Sequence, residues 1–121
     1  MTAKKTLVLG ASLNPQRYSY LAINSLVSHS QPVVAIGLKE GTLNGVQIDT
    51  GMPNYENIDT VTLYLNPRRQ QEYYDYIISL NPKRVIFNPG TENPEFYQLL
   101  RDKNIDVKPA CTLIMLNSNQ Y

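Results

Sequence analysis

The segment Lys5–Tyr20 begins with a short apolar run, Thr6–Leu9, and passes into the small residues of Gly10–Ser12. A polar loop with a proline and an arginine follows, and an apolar helical pattern then starts at Tyr18. This succession predicts a β-strand, a tight turn and the N-terminus of a helix. In open α/β sheets such a junction binds phosphates, because free backbone N–H groups and the positive end of the helix dipole meet there.

The remainder of the chain alternates apolar runs with helical patterns. The predicted strands are Lys5–Leu9, Pro32–Ile36, Thr60–Leu65, Arg84–Phe87 and Ile105–Val107, and the predicted helices are Tyr18–Ser28, 67–80 and 94–104. Strands that alternate with helices favour a parallel sheet with right-handed crossovers. The predicted class is α/β: a Rossmann-like open parallel sheet of about five strands, in the order 3-2-1-4-5, with helices on both faces.

Two segments lack a clear period. Gly37–Asp59 contains Asn44-Gly45 and other turn residues, so we expect a loop-rich crossover with at most one short turn near Asn54–Ile58. The apolar tail Cys111–Leu116 fits either a last turn of helix or an added strand, and the sequence leaves both open.

Length and charge limit the classes of function. A chain of 121 residues predicts a single domain over 1–121. The formal net charge is +1, so no overall basic field favours nucleic acid as a partner. No apolar run approaches the ~20 residues of a membrane helix, and no signal-peptide pattern is visible. We therefore expect a soluble, cytoplasmic protein without a membrane partner.

Cys111 is the only cysteine and His29 the only histidine. A single cysteine excludes a disulfide within the chain and fits a reducing compartment. One cysteine and one histidine far apart in sequence give little support for a metal site. His29 lies near the end of the first predicted helix, at the wrong edge of the sheet, and a lone cysteine beside an apolar run is more often inert. No catalytic residue is assigned.

The dipeptide Asn-Pro occurs five times in the chain. The pairs that begin at Asn14, Asn66 and Asn88 lie just after predicted strands. A residue before proline avoids the α region, so each pair can end a strand, and caps and turns alone explain all five. The functional interpretation is that three pairs share the carboxyl edge of the parallel sheet, which is the edge that binds ligands.

The loop after the first strand departs from the dinucleotide fingerprint G-x-G-x-x-G, because Gly10 is the only glycine of the motif present. This departure weakens the prediction of NAD or FAD bound in the standard way. Ser12, Asn14 and Ser19 can still donate hydrogen bonds, and Arg17 can make a charge-assisted bond to a phosphate. The alternative is that Arg17 is solvated and that the serines cap the helix.

Lys39 and Glu40 follow the second predicted strand. An acidic residue at this place binds the ribose hydroxyls of NAD, whereas a cation suits an additional phosphate on the ribose, as in NADP or coenzyme A. Lys39 comes first and favours that phosphate, while Glu40 keeps NAD as an alternative. Solvation alone also accounts for Lys39. The basic pair Arg68-Arg69 after the third predicted strand is interpreted as a solvated face, and contact with a phosphate is the alternative.

The segment Gly10–Tyr20, GASLNPQRYSY, resembles the opening of the small stand-alone CoA-binding domain proteins, which are similar to the CoA-binding domain of the succinyl-CoA synthetase α subunit. The likeness covers nearly the whole chain: Lys39, Asn66-Pro67, the loop 88–93 and Cys111 also fall at family positions. Two departures concern Gly37-Leu38, where the family commonly has Asn-Pro, and the loop after the fourth strand, which in the family usually carries Gln near a glycine.

The resemblance implies a Rossmann-like fold that binds the ADP and pyrophosphate part of coenzyme A. It implies a site in three parts: Gly10, Ala11, Ser12, Arg17 and Ser19 at the pyrophosphate, Lys39 at the adenosine phosphate, and Leu65, Asn66 and Pro67 beside the adenine or the pantetheine. The full predicted site also includes Asn14, Asn88, Pro89 and Gly90. The catalytic histidine of the synthetase lies in a domain that this sequence does not contain, so its reaction is not implied.

The expected ligand is therefore coenzyme A or an acyl-CoA, bound at the carboxyl edge of the sheet without catalysis by the chain itself. Two alternatives stay open. One is an NAD(P)-binding oxidoreductase-type domain, or a CoA-dependent activity, completed by a partner. The other is a regulatory module in which a bound nucleotide alters an interaction surface. The sequence identifies no protein partner.

Overall fold

The computed structural model describes residues 3–121. Within these residues, seven strands form one central sheet. The strands are β1 (Thr6–Ala11), β2 (Val33–Gly37), β3 (Gly41–Leu43), β4 (Val46–Asp49), β5 (Thr60–Leu63), β6 (Arg84–Phe87) and β7 (Asp106–Pro109). The helices are α1 (Tyr18–Ser28), α2 (Pro67–Gln70), α3 (Tyr74–Leu80), α4 (Pro94–Asp102) and α5 (Thr112–Asn117). A 3₁₀ turn over Gln71–Tyr73 joins α2 to α3.

The sheet order is β3-β4-β2-β1-β5-β6-β7. Neighbouring strands are parallel except for β3 and β4, which pair in the antiparallel sense at one edge. The α/β class and the Rossmann-like, mostly parallel sheet are confirmed, whereas the predicted count of about five strands is wrong.

The additional strands lie inside Gly37–Asp59, which was expected to be irregular. Asn44 and Gly45 both have positive φ, as a two-residue hairpin turn requires, and they connect β3 to β4. β4 then pairs with β2 in parallel, with Ile48 beside Ala35. The two strands have only three and four residues, so their alternation of buried and exposed residues is too short to be recognised among the turn residues. No helical turn forms near Asn54–Ile58.

The predicted position of the strand over Thr60–Leu65 is also wrong. The order 3-2-1-4-5 places this strand next to the second strand, but β5 pairs with β1 and β6, and β4 occupies the place beside β2. Counting only the strands of the parallel ladder, β4 is the third in sequence and the order is 3-2-1-4-5-6. The predicted order is that of a doubly wound sheet, but the sequence analysis did not recognise β4, the strand that lies beside β2.

The helices agree with the sequence analysis in place but not in every detail. α1 has the predicted bounds. The helix expected to run without a break from 67 to 80 is interrupted by the 3₁₀ turn, and α4 ends at Asp102 instead of near Asn104. The apolar tail forms the helix α5 and not a strand.

Helices cover both faces of the sheet. Leu7 and Val8 are fully buried on opposite faces, because successive side chains of a strand alternate. Phe96 of α4 packs on the cluster that contains Leu7, and Leu26 of α1 and Leu116 of α5 belong to the cluster that contains Val8. Within residues 3–121 no helix has the length and apolar character needed to cross a membrane.

Candidate functional site

A cleft of about 780 Å³ opens at the carboxyl edge of the sheet. The segments that follow β1, β2, β5 and β6 line it, together with the first residues of α1. Its volume is within the range of small-molecule binding sites. The cleft therefore lies where open α/β sheets bind their ligands, at the strand ends and beside a helix N-terminus.

Gly10 brings the end of β1 close to the end of β5. Its φ is +97°, and a Cβ atom at this position would lie 2.9 Å from both the carbonyl carbon and the carbonyl oxygen of Tyr64. The Tyr64 N–H donates a hydrogen bond of 2.9 Å to the Leu9 carbonyl. The close approach and the positive φ both require glycine here, so the first glycine of the turn has a physical role without the rest of the dinucleotide fingerprint.

The loop between β1 and α1 is shaped by its own side chains. The Ser12 Oγ accepts a hydrogen bond of 3.0 Å from the Asn14 N–H, and the Asn14 Oδ1 accepts one of 3.0 Å from the Gln16 N–H. Arg17 is the N-cap of α1, with extended backbone and no side-chain cap, and Ser19 is buried in the first turn. The alternative that serines cap this helix is therefore wrong, and N–H groups of the first turn are left for a ligand.

Lys39 and Glu40 differ in position although they are adjacent in sequence. Both are exposed, but Lys39 lines the cleft and Glu40 does not. Leu38, with 76% of its surface exposed, also lines it. The end of β2 therefore presents an apolar side chain and a cation to the cleft.

The opposite side of the cleft is anchored by buried amides. Gln70 is fully buried, and its Nε2 donates hydrogen bonds of 2.8 Å to the carbonyls of Leu65 and Thr91, both of which line the cleft. Its Oε1 accepts a hydrogen bond of 2.9 Å from the Asn93 Nδ2. This network fixes the segment after β5 to the segment after β6.

Arg69 and Tyr73 complete this side, one helical turn apart, and both are half-buried. Burial raises the pKa of the Tyr73 hydroxyl, the carboxylate of Glu72 raises it further, and the guanidinium of Arg69 lowers it. Arg69 and Tyr73 therefore contribute a cation and a phenol to the same cleft.

The structure brings together eleven of the thirteen residues predicted for the site. Those that line the cleft are Gly10, Ala11, Ser12, Asn14, Arg17, Ser19, Lys39, Leu65, Asn66, Pro89 and Gly90. Pro67 and Asn88 are not among the lining residues. Pro67 is the first residue of α2, at a helix position that tolerates its missing N–H.

The buried side chain of Asn88 makes hydrogen bonds within the fold and does not line the cleft. Its buried Nδ2 donates to the Thr62 Oγ1 at 2.6 Å and to the Leu63 carbonyl at 2.9 Å. Its Oδ1 accepts a hydrogen bond of 2.9 Å from the Thr112 N–H. The side chain thus joins the end of β6 to β5 and to the start of α5.

The predicted site leaves out several lining residues, above all Arg69, Tyr73 and Thr91. A usable signal existed for Arg69. Asn66 caps α2 by accepting a hydrogen bond of 2.9 Å from the Arg69 N–H, and helical side chains point back toward the N-terminus of their helix. A residue three positions after a cap at the sheet edge can therefore turn toward the ligand.

His29 and Cys111 lie outside the cleft lining. The His29 Nδ1 is 2.7 Å from the Ser25 carbonyl, at the C-terminal end of α1. Cys111 is half-buried and precedes α5. Within residues 3–121 no group of three or more His, Cys, Asp or Glu side chains is placed to hold a metal ion.

Comparison with known proteins agrees with this geometry. A sequence model of the family described as "CoA binding domain" matches residues 4–117. A crystal structure of an uncharacterized protein is similar over 100% of both chains, with 46% identity and a TM-score of 0.96. No curated protein matches the chain.

Two more distant structures share the fold. A hypothetical protein from Pyrococcus horikoshii OT3 is 23% identical, with a TM-score of 0.86 over 96% of this chain and 83% of its own. A protein from Thermus thermophilus is 22% identical, with a TM-score of 0.86 over 98% of this chain and 91% of its own.

Proposed function

The chain belongs to the family of CoA-binding domains, and from this premise we propose that it binds coenzyme A or an acyl-CoA in the cleft at the carboxyl edge of the sheet. The observation that carries the proposal is the placement of Lys39 in the cleft lining and of Glu40 outside it. A cation at the end of β2 suits the 3′-phosphate of coenzyme A, whereas NAD has free ribose hydroxyls that an acidic residue binds.

The pyrophosphate is proposed to lie against the start of α1. The uncapped N–H groups of the first turn and the positive end of the helix dipole favour an anion there. Arg17 is exposed, lines the cleft and can form a charge-assisted hydrogen bond to a phosphate oxygen. Ala11 and Ser12 are small enough for the backbone to approach the ligand.

The remaining lining residues are proposed to flank the adenine and the pantetheine. Leu65 and Asn66 follow β5, and Pro89 and Gly90 follow β6, so the ligand would cross the edge from β2 toward β6. Apolar and small residues on this path suit the pantetheine arm, which carries no charge.

We propose a binding role without catalysis. Among the described residues, those that line the cleft include no His, Cys, Asp or Glu, so the lining supplies neither a thiol nor a histidine or carboxylate to activate the hydroxyls of Ser12, Ser19 or Thr91 as nucleophiles. A partner protein that acts on the bound thioester is compatible with this role. We also propose a cytoplasmic location, where acyl-CoA is available.

Isothermal titration with coenzyme A, NAD and NADP in parallel tests the proposal. We expect saturable binding of coenzyme A and none of NAD. Binding of a nicotinamide cofactor in place of coenzyme A would direct the search to an oxidoreductase. If none of the three ligands binds, the proposed function is contradicted and a role in protein interaction is favoured.

A further inference from the structure

The cleft lies at the point of the sheet where the chain changes direction. β1 connects through α1 to β2 on one side of this point, whereas β5 connects through α2 and α3 to β6 on the other side. β1 and β5 are neighbours in the sheet, at a spacing of about 4.8 Å. Open α/β sheets bind their ligands in the crevice at such a switch point, and here the segments after β1 and β5 form the two walls of that crevice.

The helices behind the two walls pack on opposite faces of the sheet. Leu26 of α1 belongs to the cluster that contains Val8, and Ile77 of α3 belongs to the cluster that contains Leu7. Leu7 and Val8 are successive residues of β1, so their side chains lie on opposite faces. The start of α1 and the turn that begins with α2 therefore approach the end of β1 from the two faces, with the crevice between them.

Each wall contributes one arginine to the cleft. Arg17 is the N-cap of α1, Arg69 belongs to α2, and both line the cleft. The walls are close together at the strand ends, because a Cβ atom on Gly10 would lie 2.9 Å from the carbonyl carbon of Tyr64. Arg69 is thus about one strand away from the turn at which the pyrophosphate is proposed to bind.

Arg69 is fixed at its backbone but has no acidic partner for its side chain. Its N–H donates a hydrogen bond of 2.9 Å to the Asn66 Oδ1, and the buried amide of the neighbouring Gln70 holds α2 in place. The one ion pair in the part of the chain described, residues 3–121, joins Lys83 to Asp59. A half-buried guanidinium without a carboxylate is a group that a ligand phosphate would complete, through hydrogen bonds from its planar fork.

We infer that Arg69 is a second pyrophosphate-binding residue, and that Arg17 and Arg69 hold the diphosphate between them from the two walls of the cleft. This inference rests on the proposed function. The diphosphate of coenzyme A carries a negative charge on each phosphate, so it can accept hydrogen bonds from a guanidinium on either side. Lys39 follows β2, on the far side of β1 from Arg69, and is left for the 3′-phosphate.

The test is isothermal titration with coenzyme A, dephospho-CoA and adenosine 3′,5′-bisphosphate, which keeps the 3′-phosphate but has no diphosphate. Titrations use the unmodified chain, the variant Arg69→Gln and the control Arg68→Gln, whose side chain is exposed and outside the cleft lining. Arg69→Gln should weaken the binding of coenzyme A and of dephospho-CoA alike, by about tenfold, as a hydrogen bond between charged groups allows. Its affinity for adenosine 3′,5′-bisphosphate should fall much less, and Arg68→Gln should bind all three ligands as the unmodified chain does.

The outcomes separate the two proposals. If coenzyme A does not bind to the unmodified chain, the proposed function is contradicted. If coenzyme A binds, and Arg69→Gln binds it as tightly as Arg68→Gln does, only the role of Arg69 is overturned. A loss confined to coenzyme A would place Arg69 at the 3′-phosphate, and an equal loss for all three ligands would place it beside the adenosine, so either result also overturns the inference. The capping hydrogen bond of Arg69 comes from its backbone, and Arg69→Gln preserves it.

Discussion

Lys39 and Glu40 have opposite charges and adjacent positions, but only Lys39 lines the cleft. Lys39→Ala is expected to weaken coenzyme A binding by about 1–3 kcal/mol, the range for a hydrogen bond to a charged group. The same variant should bind dephospho-CoA, which lacks the 3′-phosphate, nearly as tightly as the unmodified protein does. Arg17→Ala should weaken the binding of coenzyme A and of dephospho-CoA alike, since both ligands carry the pyrophosphate.

Titration calorimetry of the two variants with both ligands checks this prediction, with Glu40→Ala as the matched control. If Lys39→Ala lost as much affinity for dephospho-CoA as for coenzyme A, Lys39 would not bind the 3′-phosphate.

Gly10 is the residue on which the shape of the phosphate side depends. Gly10→Ala introduces a Cβ 2.9 Å from the Tyr64 carbonyl at a φ of +97°. Backbone strain and overpacking together should lower the free energy of unfolding by about 2–4 kcal/mol. Gly45→Ala is the control, because its φ is +80° but nothing lies within 4 Å, so strain alone should cost about 1 kcal/mol.

Urea unfolding followed by circular dichroism measures both glycine variants. Equal losses in the two would mean that the close approach of β1 to Tyr64 adds nothing to the requirement for glycine.

At this scale the sequence predicted the residues whose chemistry depends on local context. Gly10 lies at the end of β1, Arg17 at the start of α1 and Lys39 just after β2, so their type and position in the pattern of elements suffice to place them in the cleft. The sequence left Arg69 between a solvated position and a phosphate contact. Its placement depends on Gln70, a buried amide whose partners Leu65 and Thr91 are far apart in sequence.

Among the elements, the short helix α2 has an importance that its four residues do not suggest. Gln70→Met would remove both hydrogen bonds to the Leu65 and Thr91 carbonyls and leave the Asn93 amide with one partner fewer. Because buried polar groups without partners cost about 1–3 kcal/mol each, we expect a loss of about 2–4 kcal/mol in unfolding free energy.

The control for this prediction is Gln71→Met, at an exposed neighbouring position, which should change stability by less than about 0.5 kcal/mol. Both are measured by urea denaturation. If Gln70→Met were as stable as the control, the buried amide network would not hold the cleft together.

The hairpin β3–β4 shows where prediction of elements from this sequence ends. Asn44-Gly45 indicated a turn, and the turn is present, but strands of three and four residues contain too few alternations to be recognised. β4 is stabilised by pairing with β2, which is a tertiary contact. The longer strands and α1, with several apolar residues each, were predictable from their own pattern.

For the molecule as a whole, burial of tyrosines predicts the response to alkaline pH. Burial is the largest cause of the raised pKa of six of the nine tyrosines, namely Tyr55, Tyr64, Tyr73, Tyr74, Tyr76 and Tyr121. The pKa of Tyr76 rises to about 12. In the unfolded chain these hydroxyls ionise near pH 10.

Unfolding above about pH 10 therefore releases protons, so the contribution of these tyrosines to stability should be constant below that pH and fall as the pH rises toward 12. Urea midpoints between pH 7 and pH 11.5 measure this dependence. Tyr76→Phe should make the decline shallower, and Tyr18→Phe, at a residue that is 70% exposed, is the matched control. An unchanged slope in Tyr76→Phe would contradict the prediction.

The two sides of the cleft also differ in how they are built. The loop Leu13–Arg17 is exposed and held by short local turns, whereas the segment Leu65–Gln70 is fixed by the buried amide of Gln70. Amide hydrogens in the exposed loop are expected to exchange more slowly once the ligand binds, whereas exchange of the Arg69 and Gln70 amides, which donate to the Asn66 carbonyl, should change little. The cost of ordering on ligand binding then falls on the loop Leu13–Arg17, whereas the segment Leu65–Gln70 meets the ligand in the position it already has.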